Sequence, residues 1–132
     1  MDDTVLTRTL EELEGERWPE PDSAATGLVR DVHRLRTVPI GDFSDGDLRL
    51  LLGQRIGTEW LVPMALERLR DSPLAGEWYP GDVLNAVLGV GNAYWDAHPT
   101  ETVALWGVRQ SLEQLRSDAG QFLDRPDWPR FG

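Results

Sequence analysis

The chain has 132 residues, with 13 Arg and no Lys against 23 Asp plus Glu, giving a net charge of −10 and a pI near 4.5. That balance disfavours direct binding of nucleic acid or of an anionic membrane, because both need clustered cations. With no Lys there is no Schiff-base or P-loop chemistry, and with no Cys there are no disulfides, thiolate nucleophiles or zinc–thiolate sites.

The predicted elements are helical. Thr9-Leu10-Glu11-Glu12 is a capping box that opens a short helix, and Gly15 is placed to stop it. Pro19 and Pro21 make residues 17–22 an extended linker. A second helix is expected over 23–36, with Leu28, Val32 and Leu35 on one stripe, ended by Pro39. Ser44-Asp45-Gly46-Asp47 resembles another capping box, and its helix carries Leu48, Leu51 and Leu52. Residues 58–71 form the most apolar helix, through Leu61, Met64, Ala65 and Leu69; Pro63 fits only in its first turn or at a kink.

Pro80 suits the first position of the next helix, which shows Val83, Leu84, Val87 and Leu88. Residues 92–97 add one turn. Thr100 caps a last long helix over 101–118, with Leu105, Val108, Leu112 and Leu115 in register. Residues 119–132, with Phe122, Trp128 and Phe131, read as a tail that either packs down or is loose. Leu occurs 19 times and Ile twice, which favours helix over strand. The expected fold is therefore all-α: a compact single-domain bundle of about six helices with short connections, spanning 1–132. Met1-Asp2-Asp3 opens without a basic or apolar leader pattern and no apolar run is long enough to span a membrane, so no signal peptide and a cytoplasmic location are expected.

Catalytic constellations are scarce. His33 and His98 are the only histidines, and neither has a metal-ligand or catalytic partner at a recognisable spacing. No serine stands in a nucleophile-elbow context. Gly89-Val90-Gly91 begins a dinucleotide-loop string, but Tyr94 stands where the third glycine belongs and the string follows a helix. The carboxylate clusters match no EF-hand loop, and no pair is singled out for glycosidase-like work. Helix capping and solubility account for most of them. No cofactor and no metal are expected.

Gly76–Asp82 is more informative, because Trp78 and Tyr79 lie between Glu77 and Asp82 in a turn. Two arrangements compete. In the favoured one the aromatics tuck into the core while Pro80 and Asp82 start a helix. In the other, one aromatic and both acids face a partner protein.

Short strings in fixed order add a family resemblance. Thr-Leu-Glu-Glu-Leu-Glu-Gly at 9–15, followed by Trp18, Pro19 and Pro21, resembles the opening of a group of contact-dependent growth inhibition (CDI) immunity proteins, CdiI type. The likeness continues through His33-Arg34-Leu35-Arg36, Pro39-Ile40-Gly41, Gly53-Gln54-Arg55-Ile56-Gly57, Leu61-Val62-Pro63-Met64 and Tyr79-Pro80-Gly81-Asp82, and fades near residue 97. It implies an all-helical cytoplasmic protein, not an enzyme, that neutralises a cognate toxin domain by forming a stoichiometric complex. For this group the toxin is expected to be a basic ribonuclease. Acidic clusters suit that task, since a nuclease must hold a polyanion and its cleft tends to be basic. The candidate toxin-binding residues are Asp42, Asp45, Glu77, Trp78, Tyr79 and Asp82. The alternative is an acidic helical adaptor docking on another basic protein; an enzyme built on a carboxylate pair ranks last.

Overall fold

Local capping explains most of the helix starts. The structure, a computed structural model, describes residues 2–130; Met1 and the tail residue Phe131 lie outside the described residues. Helix α1 (Asp3–Leu6) begins after Asp2, whose carboxylate accepts from the Thr4 N–H at 3.1 Å. In α2 (Leu10–Glu14) the capping box is complete: Thr9 Oγ1 accepts from the Glu12 N–H at 3.2 Å, and Glu12 accepts from the Thr9 N–H at 3.4 Å. Gly15 closes α2 in the left-handed region. Helix α3 (Gly27–Leu35) is capped by Thr26, and a 3₁₀ turn covers Ile40–Asp42. The second capping box forms at Ser44 and Asp47, opening α4 (Asp45–Gly53). Then follow α5 (Thr58–Asp71), α6 (Asp82–Leu88), α7 (Asn92–Ala97) and α8 (Pro99–Leu123).

The described residues hold eight α-helices and no strand, against the six or so expected. The two beyond that count are α1, too short to show a periodicity, and α7, expected only as a single further turn. Other boundaries also shift. Helix α3 starts at Gly27 rather than 23, because Asp22 Oδ1 takes the Ala24 N–H into a turn first. Leu28 then falls in the first helical turn and is exposed, leaving Val32 and Leu35 as the buried stripe. Pro63 lies in the second turn of α5, so the Glu59 carbonyl lacks its usual i+4 donor. Helix α6 starts at Asp82, with left-handed Gly81 before it, and Pro80 stays outside. Helix α8 starts at Pro99, one residue ahead of Thr100, and runs five residues past the expected end.

Leu10, Leu35, Ile40, Leu48, Leu51, Leu61, Leu69, Val83 and Val87 are buried in one cluster. Helix α4 packs on α6 and α5 on α8, while α5 also touches α4 and α6. Burying a Leu or Val side chain contributes about 1.5–3 kcal/mol, so this cluster is the main stabilising element.

One cation is buried beside it. Arg36 is 1% exposed. Its guanidinium pairs with Glu14, donates to the Glu16 carbonyl at 2.8 Å and sits 4.2 Å from the Trp18 ring centroid. It ties α2 and the extended segment after it to the end of α3.

At the α7–α8 joint, Tyr94 stacks on His98 with centroids 3.9 Å apart, and His98 Nδ1 lies 2.7 Å from the Tyr94 carbonyl. The Tyr94 hydroxyl is buried without a hydrogen-bond partner among the described residues. Burial, aided by the charges of Glu101 and Glu59, pushes its phenol up to about 12. An unfolded phenol ionises near pH 10. Above that pH the unfolded chain has released a proton that the folded chain keeps, so this contribution to stability falls as pH rises from about 10 to about 12. Tyr94→Phe is expected to flatten that fall. Urea unfolding of both proteins at about pH 9 and about pH 11 checks it.

Candidate partner-binding surface

Two short segments far apart in sequence meet at the first turn of α4. One is the acidic run Asp42, Asp45 and Asp47; the other is the turn 76–82 that leads into α6. The packing of α4 on α6 brings them together. Gly46 leaves room for the Glu77 carboxylate, which a methyl there would push aside. Glu77 therefore lies against the N-terminal turn of α4, where a negative charge is favoured.

The turn is fixed from beneath by Asp82. This residue is completely buried, and its Oδ2 accepts from the backbone N–H groups of Trp78 at 2.8 Å and Glu77 at 3.2 Å. Gly76 makes room for it, since a Cβ there would fall 2.6 Å from Asp82 Oδ1. Asp82 thus shapes the turn and offers no charge at the surface. It differs in this from the surface role expected of it.

The two aromatics lie outside. Trp78 is 72% exposed and Tyr79 is 50% exposed. This overturns the arrangement in which they fill the core: Val83 and Val87 of α6 already close that space against α4, and neither ring is needed there. Trp78 lies over Arg49 of α4, 5.5 Å from guanidinium to ring centroid, and the Tyr79 hydroxyl accepts from Asn85 Nδ2 at 3.1 Å. Asp42 is exposed in the 3₁₀ turn. Asp45 is half-buried and pairs with Arg68 at 3.0 Å, so its charge is partly spent inside the molecule.

Glu77, Trp78 and Tyr79 form an exposed ridge on the turn, and Asp42 is exposed in the 3₁₀ turn ahead of α4; neither carboxylate has an ion-pair partner among the described residues. Arg49 and Asn85 hold the rings and were missed by the sequence reading. Their i+3 and i+4 positions within their own helices carry no mark of a partner on another element. Among the described residues no three His, Asp or Glu side chains gather in a way that could hold a metal ion. Among the described residues no helix is long and apolar enough to cross a membrane.

An acidic helical scaffold that exposes aromatics between carboxylates has the surface of a protein-binding protein. A family model of CDI immunity proteins matches residues 12–105, well over half of the chain. The chain belongs to that family, whose role is to neutralise a toxin and whose members are generally not enzymes. No curated protein and no solved structure gives a match.

Proposed function

We propose that this protein neutralises a basic toxin domain, a ribonuclease, by forming a one-to-one complex in the cytoplasm, with no turnover of its own. The contact surface is the ridge of Asp42, Asp45, Glu77, Trp78 and Tyr79. The observation that carries this reading is the exposure of Trp78 and Tyr79 beside free carboxylates. Carboxylates facing a cationic cleft speed the encounter, and desolvated aromatics slow the escape. Speed matters because every unbound toxin molecule acts repeatedly. An adaptor would also use such a ridge, but membership of the immunity family favours a toxin as the occupant.

The test is binding of the catalytically silenced toxin domain encoded beside this gene, together with rescue of growth when the active toxin is expressed. Asp42→Arg combined with Glu77→Arg is expected to lower the association rate about tenfold and to weaken its dependence on salt. Trp78→Ala is expected to raise the dissociation rate about tenfold or more, with the melting temperature unchanged because the ring is exposed. Stopped-flow kinetics and thermal melts separate the two. An unchanged association rate removes this ridge as the steering surface. Failure of the wild type to bind removes the proposed function.

A further inference from the structure

Helix α8 is longer than the body it packs on. Leu105, Val108, Leu112, Leu115, Ala119 and Phe122 recur at alternating steps of three and four, the seam spacing of one helix packed along another. The first part of the seam is used: Val108 is buried, and Leu105 and Leu112 are half-buried. The same stripe then continues into solvent, where Leu115 is 46% exposed and Phe122 is 58% exposed. Beside it, Leu84, Leu88, Leu105, Trp106, Arg109 and Leu112 line an open groove of about 290 Å³. This surface is not acidic. From residue 105 onward four Arg match four carboxylates, so the whole net charge of −10 lies before it. The family match ends at residue 105, so the projecting part of the seam lies beyond the matched residues.

We infer that the exposed half of the α8 seam is a second docking surface, and that its occupant is an amphipathic helix of the cognate toxin polypeptide, with a carboxylate beside its apolar stripe. The inference rests on the immunity reading above. A second copy of this chain fits poorly. A parallel copy would bring its own body, seated at Leu105 and Val108, into the space this one occupies. An antiparallel copy that matches Leu112 with Phe122 and Leu115 with Ala119 sets Arg116 against Arg116 and Asp118 against Asp118. Like charges flanking a seam disfavour pairing. Arg116 has no ion-pair partner among the described residues, whereas Arg109 is already held by Glu113 at 3.3 Å. The edge marked by Arg116 therefore fits a helix that carries a carboxylate there. Arrival at this neutral surface owes little to long-range charge, so its contribution lies in retention.

The experiment uses the full chain and the catalytically silenced toxin domain encoded beside its gene. In hydrogen exchange, amides between residues 112 and 123 should slow at least about tenfold in the complex. Leu115→Asp combined with Phe122→Asp should raise Kd about a hundredfold through faster dissociation, and Arg116→Glu should raise it about tenfold. All three side chains are exposed, so melting temperatures should not move. If the wild type binds the toxin domain while exchange in α8 and the Kd of the double variant are unchanged, this inference is overturned and the ridge reading stands. If the wild type does not bind at all, both fall. If sedimentation shows a dimer of the free chain that Leu115→Asp abolishes, and the toxin leaves α8 exchange unaltered, the occupant is a second copy and the assignment to the toxin is wrong.

Discussion

Asp82→Ala is expected to destabilise the protein by about 2–3 kcal/mol and also to weaken toxin capture, although Asp82 touches no solvent. The carboxylate accepts two backbone N–H groups, those of Glu77 and Trp78, inside a turn whose other backbone ties are the Gly81 N–H donating to the Leu74 carbonyl at 2.9 Å and the Asp82 N–H donating to the Tyr79 carbonyl at 3.2 Å. A hydrogen bond to a charged group contributes about 1.5–3 kcal/mol, and the freed N–H groups at this partly exposed turn recover some of that from water. Asp82→Asn keeps an acceptor of the same shape and should lose only about 1 kcal/mol. Urea unfolding gives the stability change. The functional readout is the dissociation rate of the complex for Asp82→Asn against Asp82→Ala. If Asp82→Ala releases the toxin no faster than wild type, the geometry of the turn does not matter for contact.

Arg36→Met is expected to cost about 2–3 kcal/mol, or on the order of 10 °C in melting temperature for a chain of this size. Removing one member of a fully buried ion pair costs about 3–5 kcal/mol when the other charge stays buried. Here Glu14 keeps 28% of its side-chain surface in solvent, so it rehydrates and the loss is smaller. The bond to the Glu16 carbonyl and the contact with the Trp18 ring go as well. Arg36→Lys keeps the charge but cannot reach both partners with one planar group, and should recover less than half of the loss. Hydrogen exchange should show the damage concentrated in residues 10–18, the segment Arg36 holds. A uniform loss of protection would mean that Arg36 supports the core as a whole. Binding through the distant ridge should survive at temperatures where the variant is folded.

How much of this was legible in the sequence depended on whether the signal was local. Thr9 with Glu12, and Ser44 with Asp47, are signals contained within four residues, and both capping boxes formed as expected. The apolar run 58–71 became a helix with its own boundaries. The far end of α8 was not legible, because Asp118-Ala119-Gly120 looks like a stop, yet Gly120 sits inside a helix that continues to Leu123. A glycine costs a helix only about 1 kcal/mol, which the surrounding turns can absorb. In the candidate site, residue types were readable but roles were not. The favoured arrangement tucked Trp78 and Tyr79 into the core, and the structure exposes both; Asp82 starts α6 as that arrangement had it, but from a fully buried position. The cause is the two N–H groups that converge on Asp82, an arrangement of the turn in space that charge patterning does not encode. The pairing of Asp45 with Arg68, across 23 positions of sequence, was hidden for the same reason.

The seat of Trp78 over Arg49 has a consequence for affinity. A large exposed side chain ordinarily gives up rotational freedom when a partner closes over it, and that entropy loss amounts to about 0.5–1.5 kcal/mol for each immobilised side chain. Here the indole already leans on a neighbour and its backbone is anchored from below. Most of the ordering is complete before any partner arrives, so more of the contact energy remains available as binding strength.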